Sequence, residues 1–249
     1  VAFSQHVQDC RHSGRRIRAA AEAGLIIVSG PSRGLGRAIC DRLGATGVEV
    51  LGLARRIDGL PFEAVQCDVS RSEDVKAVAQ QLKKDKRPVS GLINAAGIAS
   101  MNLALTTPAK LAADIVATNL LGTIYCCQQL APLLLRRKAG AIINFSTIAV
   151  ALGLKGESIY AASKAGVEGF SRAFAREMAD FGVTVNCIAP GPIATDLLKG
   201  VNAAQIAAIV KQQILPRQFT PDAVCDVVEM LLDPRSAALS GQVLHIGGA

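Results

Sequence analysis

Tryptophan is absent from this chain, and seven phenylalanines and two tyrosines supply all its aromatics, 4% of 249 residues. Single-strand nucleic-acid binders stack bases on aromatic platforms, so that class is disfavoured by supply alone. The core must be aliphatic instead, and half of the residues are hydrophobic. Histidine is nearly as scarce. His6, His12 and His245 are scattered, which leaves no metal-ligand set and no Ser-His-Asp relay, and His245 reads as packed rather than catalytic. No metal is expected. The seven cysteines (Cys10, Cys40, Cys67, Cys126, Cys127, Cys187 and Cys225) are odd in number and include no CxxC. Reduced, buried thiols are therefore expected rather than a disulfide framework. No run of eighteen apolar residues occurs, so no membrane-spanning helix is expected, and the first residues lack a secretory apolar stretch.

Charge is sparse, at 19% of residues, with a net of +7. Arg11, Arg15, Arg16 and Arg18 against Asp9 account for +3 of it. The remainder is thin for a nucleic-acid footprint and suits an anionic ligand or an acidic partner. Residues 1–22 read as a poorly ordered N-terminal extension. They are Arg-rich and acid-poor, as transit peptides are, so the expected address is cytoplasmic with organelle targeting left open.

From Gly24 onward, short apolar runs alternate with helical patterns. Strands are expected at Leu25–Ser29, Val48–Leu53, Ala64–Cys67, Gly91–Ile93, Ala141–Phe145, Val183–Ala189 and Gln242–Ile246. Helices are expected at Arg37–Ala45, from a cap at Ser70 or Ser72, from Thr107 to Arg137 with a break near Ala117–Thr118, at Glu157–Phe181 and at Pro221–Leu232. The alternation predicts an α/β fold: one doubly wound, Rossmann-like domain over residues 23–249, with a seven-stranded parallel sheet and helices on both faces.

The segment Ser29-Gly30-Pro31-Ser32-Arg33-Gly34-Leu35-Gly36 joins the first strand to the first helix. Its glycines permit a tight turn and let backbone approach a pyrophosphate, and the helix start offers N–H groups to phosphate. Dinucleotide folds that take NAD place a carboxylate after the second strand. Here Ala54-Arg55-Arg56 stands in that place, and Arg33 adds a guanidinium in the turn. Guanidiniums suit an adenosine 2′-phosphate, so NADPH is expected over NADH.

Tyr160 and Lys164 lie four apart on a predicted helix, one turn and one face. A phenol beside an ammonium is expected to titrate nearer neutrality and to serve as proton donor or acceptor. Polar clusters follow the other strands: Asn94-Ala95-Ala96-Gly97, Asn144-Phe145-Ser146-Thr147 and Asn186 to Gly191, with Asn119 in the long helix. Each sits where a crevice forms at the carboxyl ends of parallel strands.

With these motifs in order, the chain resembles the short-chain dehydrogenase/reductases from Leu25 to Gly248, and among them the 3-oxoacyl-(acyl-carrier-protein) reductases. The resemblance implies that Tyr160 protonates a carbonyl oxygen and that Lys164 tunes Tyr160 and holds the nicotinamide ribose. It implies that Asn119 binds a water for proton resupply. Asp68 and Val69 would lie near adenine; Asn94, Ala95, Ala96 and Gly97 would line the cofactor; Pro190, Gly191, Ile193 and Thr195 would hold its carboxamide. The substrate would be a ketone, foremost a 3-oxoacyl thioester on a carrier protein or CoA, and the assembly a homotetramer without nucleic-acid or membrane partners.

The match departs in places. The family serine falls on Thr147, thirteen before Tyr160, with Ser146 as the alternative. A lid over about 195–214 would offer Leu197, Leu198, Val201, Ile206, Ile209 and Val210 as an acyl wall. Arg136-Arg137-Lys138 could meet an acidic carrier. Phe181 stands where those reductases often carry a second basic residue. A reductase of another small ketone, aldehyde, quinone or sterol would share all this chemistry. A non-catalytic NADP-binding regulator on the same fold would usually lack the tyrosine or the lysine.

Overall fold

Aliphatic runs become the strands of a fully parallel sheet in the computed structural model, which describes residues 24–195 and 202–249. The seven strands are β1 Leu25–Ser29, β2 Val50–Ala54, β3 Ala64–Gln66, β4 Val89–Asn94, β5 Gly140–Phe145, β6 Val183–Pro190 and β7 Val243–Ile246, in the order β3-β2-β1-β4-β5-β6-β7. Every residue of β1 and β2 is buried, as a sheet covered on both faces requires. The helices are α1 Gly34–Ala45, α2 Ser72–Lys84, α3 Ala109–Val116, α4 Gly122–Leu134, α5 Ile148–Leu152, α6 Ser158–Met178, α7 Ala203–Val210 and α8 Pro221–Leu232. On one face Leu82, Leu130, Leu134 and Phe174 from α2, α4 and α6 pack on Ile27, Leu92 and Ile142. On the other, Ile39, Leu43, Val224 and Val228 from α1 and α8 pack on Val28, Ile93 and Ile143. Each such fully buried side chain contributes roughly 1.5–3 kcal/mol. The sequence-based reading of a single Rossmann-like α/β domain therefore holds.

Several local expectations are corrected. Helix α1 begins at Gly34, three residues before the first periodic position, because Gly36 fits against the carbonyl of Gly30: a Cβ there would lie 2.2 Å from that oxygen. Neither Ser70 nor Ser72 caps α2, whose N-cap is Arg71 without a side-chain bond; Asp68 Oδ1 instead takes the Ser70 N–H and hydroxyl. The long central helix does break near residue 117, into a π-helical turn over Ala117–Leu121 between α3 and α4. Helix α5, only five apolar residues, was not expected. His245 is exposed on the edge strand β7 rather than packed. Residues 1–22, with Cys10, His6 and His12, and Leu197, Leu198 and Val201 of the expected lid lie outside the described residues. The other six cysteines are buried free thiols. No described helix is long and apolar enough to cross a membrane.

Strand order reverses between β1 and β4, which diverge to opposite sides of the sheet as the chain proceeds. Ser29, Asn94, Asn144 and Cys187 pair in one row across β1, β4, β5 and β6. The cleft opens beyond this row, at the carboxyl ends of the strands, where ligands bind in open α/β sheets.

Candidate active site

One continuous cavity runs along that cleft, from the turn after β1 to the start of α6. Its first half is backbone-rich. Gly30 has a positive φ of 73° and lies so near the next loop that a Cβ would stand 2.7 Å from Ala96 Cα. The loop is tied back by the Ala96 N–H, which donates to Ser29 Oγ at 3.1 Å. The first helical hydrogen bond of α1 runs from Arg37 N to Arg33 O, so the N–H groups of Gly34, Leu35 and Gly36 lie ahead of the α1 ladder. Gly34 has φ of 60° and no atom nearer its Cβ position than Thr195 Cβ at 3.9 Å, which leaves room for a phosphate over those donors. Arg33 and Arg55 line this half, are exposed, and have no carboxylate partner among the described residues. The one carboxylate here, Asp68, is engaged by Ser70. These residues fit a phosphorylated dinucleotide: glycines clear the path, N–H groups face it, and two free guanidiniums stand at the adenosine end.

The second half carries the ionisable chemistry. Tyr160 and Lys164 project from one face of α6 onto the cavity wall. Lys164 is 4% exposed and donates from Nζ to the Phe145 carbonyl at 2.8 Å, at the end of β5. Burial lowers its pKa from 10.5 to about 8, so it is still cationic at neutral pH. Burial pushes the Tyr160 phenol upward, the charge of Glu157 pushes it further, and hydrogen bonding with Thr147 pulls it back. The expected lowering by Lys164 is not found; burial dominates, and the phenol is held protonated at neutral pH, as a proton donor must be.

Beyond Phe145 the strand has ended, so the alternation of faces no longer separates Ser146 from Thr147, and both line the cavity. They are engaged differently. Ser146 donates to the buried Glu168 at 2.6 Å, and Glu168 also pairs with Arg172. Thr147 caps α5, accepting from the Ala149 N–H at 3.2 Å, and its hydroxyl hydrogen is directed toward the Tyr160 oxygen and the cavity.

Asn119 lies behind this wall in the π-helical turn, wholly buried. Its amide donates to Ile98 O at 2.9 Å and Ser163 Oγ at 3.1 Å, its Oδ1 accepts from Ile98 N at 2.8 Å, and its backbone carbonyl accepts from Thr123 Oγ1 at 2.8 Å. Gly97 keeps the loop thin beside it: a Cβ there would meet Asn119 Oδ1 at 3.3 Å and Lys164 Nζ at 3.5 Å.

Of the sequence-selected residues, Gly30, Ser32, Arg33, Gly34, Leu35, Gly36, Ala54, Arg55, Asp68, Val69, Ala95, Ala96, Gly97, Thr147, Tyr160, Lys164, Pro190, Gly191, Ile193 and Thr195 all line the cavity. Arg56 does not. It is exposed beyond the end of β2, and only its neighbour Arg55 reaches the wall. Asn94 is also absent from the wall. As the last residue of β4 it turns inward, donating to Asn144 Oδ1 at 2.8 Å and to Cys127 Sγ. Ile206 and Ile209 of the expected acyl wall are present. Met101, Leu154 and Glu157 went unselected. Glu157 was findable, since it stands one helical turn before Tyr160 on the same face; Met101 and Leu154 lie outside regular elements and gave no periodic signal.

Comparison with known proteins places this geometry in a populous neighbourhood. A family profile described as enoyl-(acyl carrier protein) reductase matches residues 30–248. The 3-oxoacyl-(acyl-carrier-protein) reductase FabG of Vibrio cholerae is 33% identical over 236 residues, 91% of this chain and 97% of that protein. Among solved structures, the ligand-free aldohexose dehydrogenase of Thermoplasma acidophilum superposes with a TM-score of 0.82 at 26% identity, covering 90% of this chain and 93% of that one. A 4-hydroxyisoleucine dehydrogenase mutant solved with NADH and succinate gives 0.82 at 25% identity, over 90% and 97%.

Proposed function

This chain belongs to the short-chain dehydrogenase/reductase family, oxidoreductases whose fold binds a nicotinamide cofactor, and on that premise we propose that it reduces the keto group of a 3-oxoacyl thioester to the 3-hydroxy product with NADPH. One observation carries the reading most: a protonated Tyr160 and a buried, cationic Lys164 share the cavity wall with Thr147, in continuity with the glycine turn.

NADPH supplies the hydride when bound. Arg33 and Arg55 hold a 2′-phosphate, the N–H groups at the start of α1 hold the pyrophosphate, and Ala95, Ala96 and Gly97 line the path. Asp68 and Val69 border the adenine. Pro190, Gly191, Ile193 and Thr195 border the carboxamide. Thr147 donates to the substrate carbonyl oxygen and orients it. Tyr160 gives its phenolic proton to that oxygen. Lys164 steadies the resulting phenolate and binds ribose hydroxyls, and Asn119 fixes the loop through which a proton returns to Lys164. Ile206 and Ile209 supply an apolar wall for an acyl chain.

The thioester preference draws on the FabG likeness. Arg136, Arg137 and Lys138 offer a basic ridge to an acidic carrier, and the six buried thiols suit a reducing, cytoplasmic compartment. A homotetramer is the assembly proposed. A second reading, reduction of another small ketone or aldehyde, is favoured by Phe181, 40% exposed where a carrier-binding base would be expected. NADPH oxidation with acetoacetyl-CoA, acetoacetyl carrier protein and a panel of simple ketones, repeated with NADH, tests both. Turnover of simple ketones but no β-keto thioester would overturn the first reading in favour of the second.

A further inference from the structure

The chemical half of the cavity is walled by Met101, Ile148, Leu154, Ile206 and Ile209, and this apolar lining is interrupted by Glu157. Glu157 occupies the N-cap of α6, three residues before Tyr160, so the two share one face of the first helical turn. The residue is half-buried, and among the described residues its carboxyl has neither a hydrogen-bond donor nor a counter-ion. Capping does not explain it: an N-cap side chain serves by accepting an N–H from the first turn, and Glu157 makes no such bond. The buried acid further along the same helix, Glu168, is by contrast satisfied by Ser146 and Arg172. A carboxyl group in an apolar wall without a partner is costly, and burial accordingly raises its pKa. The carboxyl is open to the cavity, where water holds it until a substrate enters beside Tyr160.

We propose that Glu157 is a specificity-determining residue: it accepts a hydrogen bond from a donor that the substrate carries near its carbonyl, and it turns away substrates that carry a carboxylate there. The inference rests on the reductase reading above and narrows its substrate class. In a 3-oxoacyl thioester, the nearest donor is the first amide N–H of the thiol arm. The corresponding free 3-oxo acid presents a carboxylate to Glu157 instead. The residue therefore selects the thioester over the acid formed when it hydrolyses.

The test is steady-state reduction of three matched β-ketones with NADPH: S-acetoacetyl-N-acetylcysteamine, which carries the amide; ethyl acetoacetate, neutral without a donor; and acetoacetate. In the native enzyme the acid is disfavoured against the ester by about tenfold or more in kcat/KM, as expected for two like charges in a partly dry site. Glu157→Gln narrows that gap by about tenfold, chiefly through KM, and Glu157→Asp, which keeps the charge, retains it. Independently of any variant, N-ethylbutanamide inhibits the native enzyme about tenfold more tightly than butanoate. An unchanged gap in a folded Glu157→Gln protein, equal loss of the gap in Glu157→Asp, or equal inhibition by the two analogues would overturn the inference. Turnover of the ester with an unmoved gap sinks this inference alone; failure to reduce any ketone sinks the reductase reading and this inference with it.

Discussion

Replacing Lys164 with methionine should make the protein more stable while removing its activity. Lys164 is 4% exposed, and its pKa falls from 10.5 to about 8 because the ammonium has left water. At 1.36 kcal/mol per pH unit, keeping that ammonium charged in the folded chain costs roughly 3 kcal/mol at pH 7. The Nζ bond to the Phe145 carbonyl, lost in the variant, returns roughly 1–2 kcal/mol of this. Methionine fills similar volume without a charge. The net expectation is a gain of about 1–2 kcal/mol at pH 7. The sign with pH follows from which state releases its proton first. Below pH 8 both folded and unfolded lysines are charged and the full cost is present. Between about 8 and 10.5 the folded chain has released its proton and the unfolded chain has not, so the native protein gains stability as pH rises. The advantage of Lys164→Met should therefore shrink across that window and be gone above it. Urea unfolding of both proteins at pH 7, 8.5 and 10 measures this as a difference, in which the other titrating groups cancel. Far-ultraviolet circular dichroism is the probe, since there is no tryptophan to report by fluorescence. A variant less stable than the native protein at pH 7, or a difference flat with pH, would show that burial of the ammonium is not the dominant cost.

Tyr160→Phe should retain the fold and lose about 10²–10⁴-fold in turnover, the share that positioned proton transfer supplies, in an NADPH-oxidation assay; near-native turnover would remove Tyr160 from the chemistry. Thr147→Val should cut turnover strongly. Ser146→Ala should leave turnover nearly intact but lower stability by about 1–2 kcal/mol, because Glu168 loses its 2.6 Å donor; the reverse pattern in paired kinetic and urea measurements would exchange the two roles. Arg33→Ala and Arg55→Ala should each raise KM for NADPH by about tenfold or more while changing KM for NADH little, since each removes a charged partner of the 2′-phosphate. Preference of the native enzyme for NADH would refute that assignment.

Where burial decides structure, the sequence was readable. The buried strands β1, β2, β4, β5 and β6 announce themselves as aliphatic runs, and α8 begins at Pro221 and ends at Leu232 as its spacing predicts. Where tertiary contact overrides propensity, it was not. Gly34-Leu35-Gly36 has poor helical propensity, yet α1 starts there because Gly36 must nest on Gly30. The Ser70 signal was taken up by Asp68, and Ser72 lies one position inside α2 with its hydroxyl on Glu73. In the site, the Tyr160–Lys164 spacing fixes a shared face whatever surrounds it. The environment of that face was beyond reach: the ammonium was expected to draw the phenol down, and desolvation, a property of the packed state, pushes it up. Arg55 and Arg56 are equivalent as letters, and the end of β2 lets one of them reach the cavity. Asn94 was expected to line the cofactor and Asn119 to bind a water; Asn94 instead holds Asn144, and Asn119 holds the Ile98 loop beside Lys164.

The reversal between β1 and β4 divides the cleft by descent along the chain. Residues 30–69 build the adenosine end, and Thr147, Leu154, Glu157, Tyr160, Ile206 and Ile209 build the far end, with Ala96 against Gly30 and Thr195 over Gly34 where later residues come near the first turn. Substitutions that retune coenzyme choice and substitutions that retune the ketone accepted are thus separated in space and share few neighbours, so their energies should combine nearly additively. A lineage carrying this architecture can exchange one currency of reducing power for another without relearning which molecule it reduces.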